Sequence, residues 1–236
     1  MHGLILAGGE GTRLAADGVR DPKAAVVLGG QAQILRLVET LRAVGCPAVT
    51  CMVRDDAGPA FDALARLRDE PRVHVAACHT PSSLHTLVEG VRLAPRDDVF
   101  CAMVDTVMRR ADWAAVYEQS GEHLADGADA VIAVTPYVDD ERPLWVERDA
   151  SGMVRRLGGP AVDPPCVSGG VYAFGLAAQA EAVRAQKDGC TRMREFLSRL
   201  VADGARVATV HVERIVDVDH KRDLDAASAL VMADAQ

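Results

Sequence analysis

Aromatic residues make up only 4% of the 236 residues, so any core has to be filled by alanine, valine and leucine. Positive charge is also scarce: 26 Lys and Arg against 34 Asp and Glu give a formal net charge of −8. Such an acidic chain is a poor general binder of nucleic acid or anionic lipid, and neither a nucleic-acid nor a membrane partner is expected. A polyanionic ligand would have to be held by a local cluster of cations and amides, or by a metal ion. No stretch approaches ~18 uninterrupted apolar residues, which excludes a membrane span. The N-terminus shows no basic region followed by an apolar run and a small-residue cleavage site, and the expectation is a cytoplasmic protein. The cysteines at 46, 51, 78, 101, 166 and 190 form no C-x-x-C pair. Several stand in strand-like runs and read as small core residues of a reduced protein, not as zinc ligands or a catalytic thiol.

What is present is a regular alternation. Apolar runs at 3–7, 48–53, 73–77, 99–104 and 130–135 read as strands, with helical periodicity at 32–44, 58–69, 82–93 and 110–121 between them. Continuous apolar strands separated by amphipathic helices predict a mostly parallel sheet covered on both faces. Ligands of such sheets bind at the carboxyl ends of the strands, which puts residues 8–13 and Asp105 at one edge. After residue 136 the rhythm changes. Two short strands joined by a turn at Asp149–Gly152 are expected, then a strand in "VSGGVYAF", helices at 176–186 and 190–202, a strand in "RVATVHV" and a last helix at 221–233. With no linker or repeat, residues 1–236 read as a single domain. To residues 1–135 the second half, 136–236, would add a small substrate-side lobe.

The most informative stretch is "LILAGGEGTRL", residues 4–14, with "DPKAAVVLGG" starting at 21. Gly8, Gly9 and Gly11 lack a Cβ, so the backbone can approach a ligand closely, and successive amides in such a turn form an anion site. Arg13 adds a fork of donors and Lys23 a point charge. The spelling is neither a Walker A loop, which ends G-K-[ST], nor a dinucleotide fingerprint, whose third glycine is replaced here by Leu14. The competing reading is a turn that merely joins a strand to a helix.

"LAGGEGTRL" followed by Pro22–Lys23 resembles the signature of the sugar-nucleotide pyrophosphorylases of the NTP-transferase family, which join a nucleoside triphosphate to a sugar 1-phosphate. "VDTVM" resembles that family's metal-binding aspartate segment, "VSGGVYAF" its sugar-side strand, and "IVDVDHKRDLDAA" its closing motif. The resemblance implies a Rossmann-like three-layer α/β/α sandwich. It also implies attack of an acceptor phosphate oxygen on the α-phosphorus of the triphosphate, with release of pyrophosphate. The attacking phosphate is already mostly ionised at neutral pH, so charge and positioning, not a strong base, carry such a reaction.

On this resemblance, Leu6, Ala7, Gly8, Gly9, Gly11 and Thr12 would bind the nucleotide, while Arg13 and Lys23 would be catalytic. Ser82 and Ser83 stand where the base is held, although either equally suits a helix N-cap. Magnesium takes one or two carboxylates plus phosphate oxygens and water. Asp105 is the first candidate ligand, its alternative role being an N-cap near residue 110. The second is Asp217 or Asp219, which strand alternation would place on one face. Ser168, Gly169, Gly170, Arg192, Arg194 and Lys221 are candidates for the acceptor, the charged ones being alternatively solvated helix faces. His79, His85 and His220, near these segments, read as structural, and Trp113 and Trp145 as packing.

The partners implied are a nucleoside triphosphate and a small phosphorylated acceptor, with a homo-oligomer left open. A glycine-threonine-alanine stretch for the base is replaced by "HTPSSLHTL", and the family's glutamate-lysine-proline motif has no counterpart. A cytidylyl- or guanylyltransferase with a non-sugar acceptor (a phosphorylated alcohol, phosphonate or pterin cofactor) and a silent nucleotide-binding regulator therefore stand as alternatives.

Overall fold

The computed structural model describes residues 1–67 and 69–233. The apolar run after Met1 forms β1 (His2–Ala7), buried along its whole length. The glycine loop leads into α1 (Thr12–Ala16), followed by β2 (Val27–Leu28), β3 (Gln31–Ala32) and α2 (Gln33–Ala43). Then come β4 (Val49–Arg54), α3 (Gly58–Leu64), β5 (Val73–Cys78), α4 (Ser83–Leu93), β6 (Val99–Met103), β7 (Thr106–Val107), α5 (Arg110–Ala125) and β8 (Ala130–Thr135). The second half supplies β9 (Val146–Arg148), β10 (Val154–Leu157), β11 (Val167–Phe174), α6 (Leu176–Lys187), α7 (Met193–Ala202), β12 (Val207–His211), β13 (Val216–Asp217) and α8 (Asp223–Ala233).

Seven strands make the central sheet, in the order β12-β8-β11-β6-β1-β4-β5. All are parallel except β11, which runs against both β6 and β8. Alternation along β1 sends Ile5 and Ala7 to one face, with α2, α3 and α5, and Leu4 and Leu6 to the other, with α4, α6 and α7. This is the expected Rossmann-like three-layer sandwich. Gly90, inside α4, lets that helix lie directly on β1: a Cβ there would stand 2.6 Å from Leu4 Cδ1. A third apolar cluster gathers Leu14, Leu28, Val107, Val216, Val218 and Ala227, and packs α8 and β13 under the glycine-loop edge.

Some boundaries differ from expectation. The segment expected as a helix over 58–69 is α3 followed by a tighter turn over Ala65–Leu67, and Arg68 lies outside the described residues. The expected turn at Asp149–Gly152 is present, held by Asp149 Oδ1 accepting from Ser151 N and Met153 N. The strand expected through Asp219 stops at Asp217: the Asp219 amide turns back onto the Asp217 carbonyl at 3.0 Å. Five cysteines are buried and Cys190 is half-buried, all unpaired among the described residues. Burial pushes the thiols of Cys46 and Cys51 up to about 12, as befits inert core residues. Trp113 is fully buried. Among the described residues no helix is long and apolar enough to cross a membrane.

Candidate active site

Three strand ends converge at one edge of the sheet. The loop after β1 carries Gly8 to Arg13, the bend after β6 carries Asp105, and the bend at β13 carries Asp217 and Asp219. The three glycines prove to have different physical reasons. Gly8 is packed: a Cβ would stand 2.7 Å from Thr86 Oγ1 and 3.0 Å from Thr80 Oγ1. Gly11 has φ of 62°, a left-handed conformation that glycine adopts without strain. Gly9 has neither constraint, since a Cβ there would meet no protein atom within 4 Å. The packing of the protein therefore demands no glycine at that position.

Lys23 joins the site through a short helical turn after Pro22. Its ammonium donates to Asp105 Oδ2 at 2.5 Å and to Asp219 Oδ1, and Arg13 Nη1 donates to Asp219 Oδ2. Burial works against the charge on Lys23, yet Asp105 and then Asp219 more than offset it, and its pKa is raised. Burial likewise raises Asp219, but Lys23 and Arg13 override it and its carboxyl is held below the usual value. Asp217 differs. Burial, aided by the negative charge of Asp105, pushes its pKa well above the usual carboxylate range, and among the described residues no cationic side chain forms an ion pair with it.

Two adjoining cavities share this cluster. The first, of about 250 Å³, is lined by Leu6, Gly9, Gly11, Thr12, Arg13, Lys23, Asp105 and Asp219. The second, of about 300 Å³, is lined by Ser83, Asp105, Asp140, Ser168, Gly170, Tyr172, Arg192, Arg194, Asp217 and Asp219. A cavity of similar size between α2, α5 and α8 lies away from these carboxylates. Size alone therefore does not mark the site; convergent charge does.

Most of the expected residues meet here, and a few do not. Ala7 lines an adjacent recess with Lys23 and Arg54. Ser82 caps α4 by accepting from the His85 amide, whereas Ser83 faces the second cavity. Asp105 does not cap α5, whose N-cap is Arg109. Gly169 lies against Ile215, so close that a Cβ would overlap that side chain. Lys221 is exposed, and its backbone amide donates to Asp17. His79 pairs with Asp55, His85 with Ser82, and His220 with Asp17.

Sequence reasoning passed over Asp140, which lies 3.9 Å from Arg13, and also Tyr172 and Thr106. Asp140 stands in a conspicuously polar segment, "DDERPLW", but Thr106 and Tyr172 carry no local signal that would single them out.

Asp105 and Asp219 line one cavity with the glycine loop and are the carboxylates that would hold a divalent cation there, where it would supply charge neutralisation. Among the described residues no ready-made group of three His, Cys, Asp or Glu forms a metal cage.

The sequence model for the MobA-like NTP transferase domain matches residues 3–200. No curated protein sequence matches significantly. Among solved structures, the inositol-1-phosphate CTP transferase from T. maritima superposes with a TM-score of 0.78 at 14% identity, covering 99% of this chain and 95% of that one. A nucleoside-diphosphate-sugar pyrophosphorylase from Vibrio cholerae superposes with a TM-score of 0.75 at 14% identity, covering 96% and 99%. At such identity these two likenesses speak to the fold. The family match, spanning most of the chain with the glycine loop, Lys23 and Asp105 inside it, decides the rest: the protein belongs to the MobA-like NTP transferase family and is a nucleotidyltransferase.

Proposed function

We propose that the protein transfers a nucleotidyl group from a nucleoside triphosphate to a small phosphorylated acceptor, in a reaction that depends on magnesium. The observation that carries this reading is Lys23 held between Asp105 and Asp219 beneath the glycine loop. The amides of residues 8–12 and the guanidinium of Arg13 would hold the triphosphate and receive the charge that builds on departing pyrophosphate. Lys23 would exchange its carboxylate partners for the α-phosphate and the incoming acceptor phosphate, reducing repulsion between two anions. Asp105 and Asp219 would hold magnesium, because both line the phosphate-side cavity whereas Asp217 does not. The cation would supply charge neutralisation on the phosphate oxygens. Arg192 and Arg194, at the start of α7, would draw the acceptor's anionic group into the second cavity.

The test is pyrophosphate release in magnesium, offering four triphosphates singly against sugar phosphates and small alcohol phosphates. Release that needs one triphosphate and one acceptor class is expected. Absence of any calorimetric triphosphate binding would overturn the reading.

A further inference from the structure

Residues 136–144 join β8 to β9 without helix or strand, so no ladder fixes their path. Backbone amides pin the two ends: Tyr137 N donates to Thr135 Oγ1 at 3.2 Å, and Ser168 N to the Leu144 carbonyl at 3.0 Å. Between them the Arg142 amide returns to Asp140 Oδ1 at 3.0 Å, which makes one tight unit of residues 140–142. These three residues reach three different places. Asp140 Oδ1 lies 3.9 Å from Arg13 Nη1. Glu141 Oε1 accepts from Arg222 Nη2 at 2.9 Å and lies 3.2 Å from His220 Nε2. The Arg142 carbonyl accepts from Arg194 Nη2 at 3.1 Å. On the reading of the second cavity as the acceptor site, we propose that Glu141, anchored on His220 and Arg222, is a positioning residue that fixes residues 140–142 as a strap and thereby orients Arg194 for the acceptor's anionic group.

The anchor is built independently of the strap. The amides of Asp219 and His220 both donate to the buried carboxylate of Asp223, at 3.0 and 2.6 Å. His220 Nδ1 lies 3.0 Å from Asp17 Oδ2, at the end of α1, and the same oxygen accepts from the Lys221 amide. His220 Nε2 is shielded from solvent and makes no aligned hydrogen bond among the described residues. The Glu141 carboxylate, at 3.2 Å, is the acceptor within its reach. A shielded polar nitrogen is costly to leave without such a neighbour, which favours Glu141 in its observed place.

Glu141 itself does not line the second cavity, whereas Arg13, Asp140 and Arg194 do. An exposed arginine samples many rotamers, and a carbonyl contact selects among them. A guanidinium oriented beforehand loses less freedom when an anion arrives. Glu141 therefore acts on the acceptor through Arg142 and Arg194. The Asp140–Arg13 contact is longer and adds less. The partners of Glu141 are partly exposed, so the pairs contribute little to stability, and losing them changes the path of the strap more than the folding of the protein.

The experiment follows pyrophosphate release from the four triphosphates with glucose 1-phosphate, inositol 1-phosphate, glycerol 3-phosphate and ethyl phosphate as acceptor probes. Glu141→Ala should raise the acceptor KM about threefold to fivefold, the scale of a partly exposed ion pair, and leave the triphosphate KM within about twofold. Glu141→Gln, which keeps an oxygen for Arg222, should recover part of that loss. In an Arg194→Ala background Glu141→Ala should add nothing, because it acts through that guanidinium. His220→Gln keeps a nitrogen near the Nε2 position and should stay near native. His220→Asn keeps only the Asp17 contact and should follow Glu141→Ala, more weakly because Arg222 remains. In the ligand-free protein, amide exchange over residues 138–144 should quicken about threefold or more in Glu141→Ala, while the melting temperature moves by no more than about 4 °C.

An unchanged acceptor KM in Glu141→Ala, equal losses in both KM values, additive effects of Glu141→Ala and Arg194→Ala, or unchanged exchange over 138–144 would overturn the proposal. Indistinguishable His220→Gln and His220→Asn would overturn the anchor on His220. Triphosphate binding without turnover of any probe would also overturn the proposal, since the strap would have no acceptor to serve. Absence of triphosphate binding would instead sink the nucleotidyl-transfer reading. If a His220 variant does not fold, the cycle of Glu141 and Arg194 still decides.

Discussion

Lys23, shortly after the glycine loop, and Asp105, just after β6, are 82 residues apart in the chain and meet at 2.5 Å, with Asp219 bound to the same ammonium. Lys23→Ala should lower turnover by about a hundredfold or more, the usual cost of losing a transition-state electrostatic contact. It should also leave Asp105 without its cationic partner, while Asp219 keeps only Arg13. Magnesium is then expected to raise the melting temperature of the variant more than that of the native protein. Near-native turnover would return the glycine loop to a plain connection.

Asp105→Asn keeps the shape but removes one charge from the cation site. Turnover should be abolished while the protein still folds, with a stability loss of about 1–3 kcal/mol, since the buried lysine keeps Asp219 as a partner. Steady-state kinetics and urea unfolding on one preparation separate the two effects. Retained turnover would end the proposed role of this carboxylate.

The glycine loop gives a sharper contrast. Gly9→Ala should fold normally, because open space surrounds the new methyl, yet bind triphosphate much more weakly. Gly8→Ala should destabilise by about 1–3 kcal/mol, through overlap with the buried Thr80 and Thr86 pair. Thermal unfolding beside calorimetric binding would show the two effects separated. Equal losses of both properties in both variants would contradict this division.

Gly90→Ala tests packing against propensity. Alanine favours a helix interior by about 1 kcal/mol over glycine. Even so, its methyl would press on Leu4 and Met52, and net destabilisation is expected by denaturant titration. A more stable variant would mean that α4 can withdraw from the sheet at little cost.

His2 sets an acid limit on stability. Burial lowers its pKa below 6.5; the N-terminus and His74 act in the same sense, and Asp97 against it. The unfolded chain therefore takes up a proton first. Stability is full above pH 6.5 and falls as the pH drops below it, until the folded value is passed. His2→Gln should flatten that part of the profile in urea titrations between about pH 5 and 7. An unchanged slope would assign it to other groups.

The sheet and its covering helices were legible because each strand on its own is a continuous apolar run, such as "VFCAMV", bounded by a periodic helix. The antiparallel sense of β11 was not legible, because direction depends on the path of the connection and leaves no mark on a buried strand. Asp105 could be picked out because a carboxylate ending an apolar strand is conspicuous, and Arg13 and Lys23 because they are isolated cations beside a glycine loop that resembles the pyrophosphorylase signature. Ser82 could not be assigned, since a base contact and an N-cap use the same hydroxyl; the His85 amide accounts for the cap.

The sequence by itself determined the layered α/β architecture and marked the glycine loop and the charged residues near it, because burial periodicity and glycine spacing are local properties of the chain. Only the tertiary structure decided which charges meet. It closed Lys23 onto Asp105 and Asp219 across nearly the whole chain, kept Asp217 out of the cavity beside the glycine loop, and opposed it to Thr106. Those pairings follow from the packing of β7, β13 and α8 over residues distant in sequence, and contact at a distance has no periodicity to betray it.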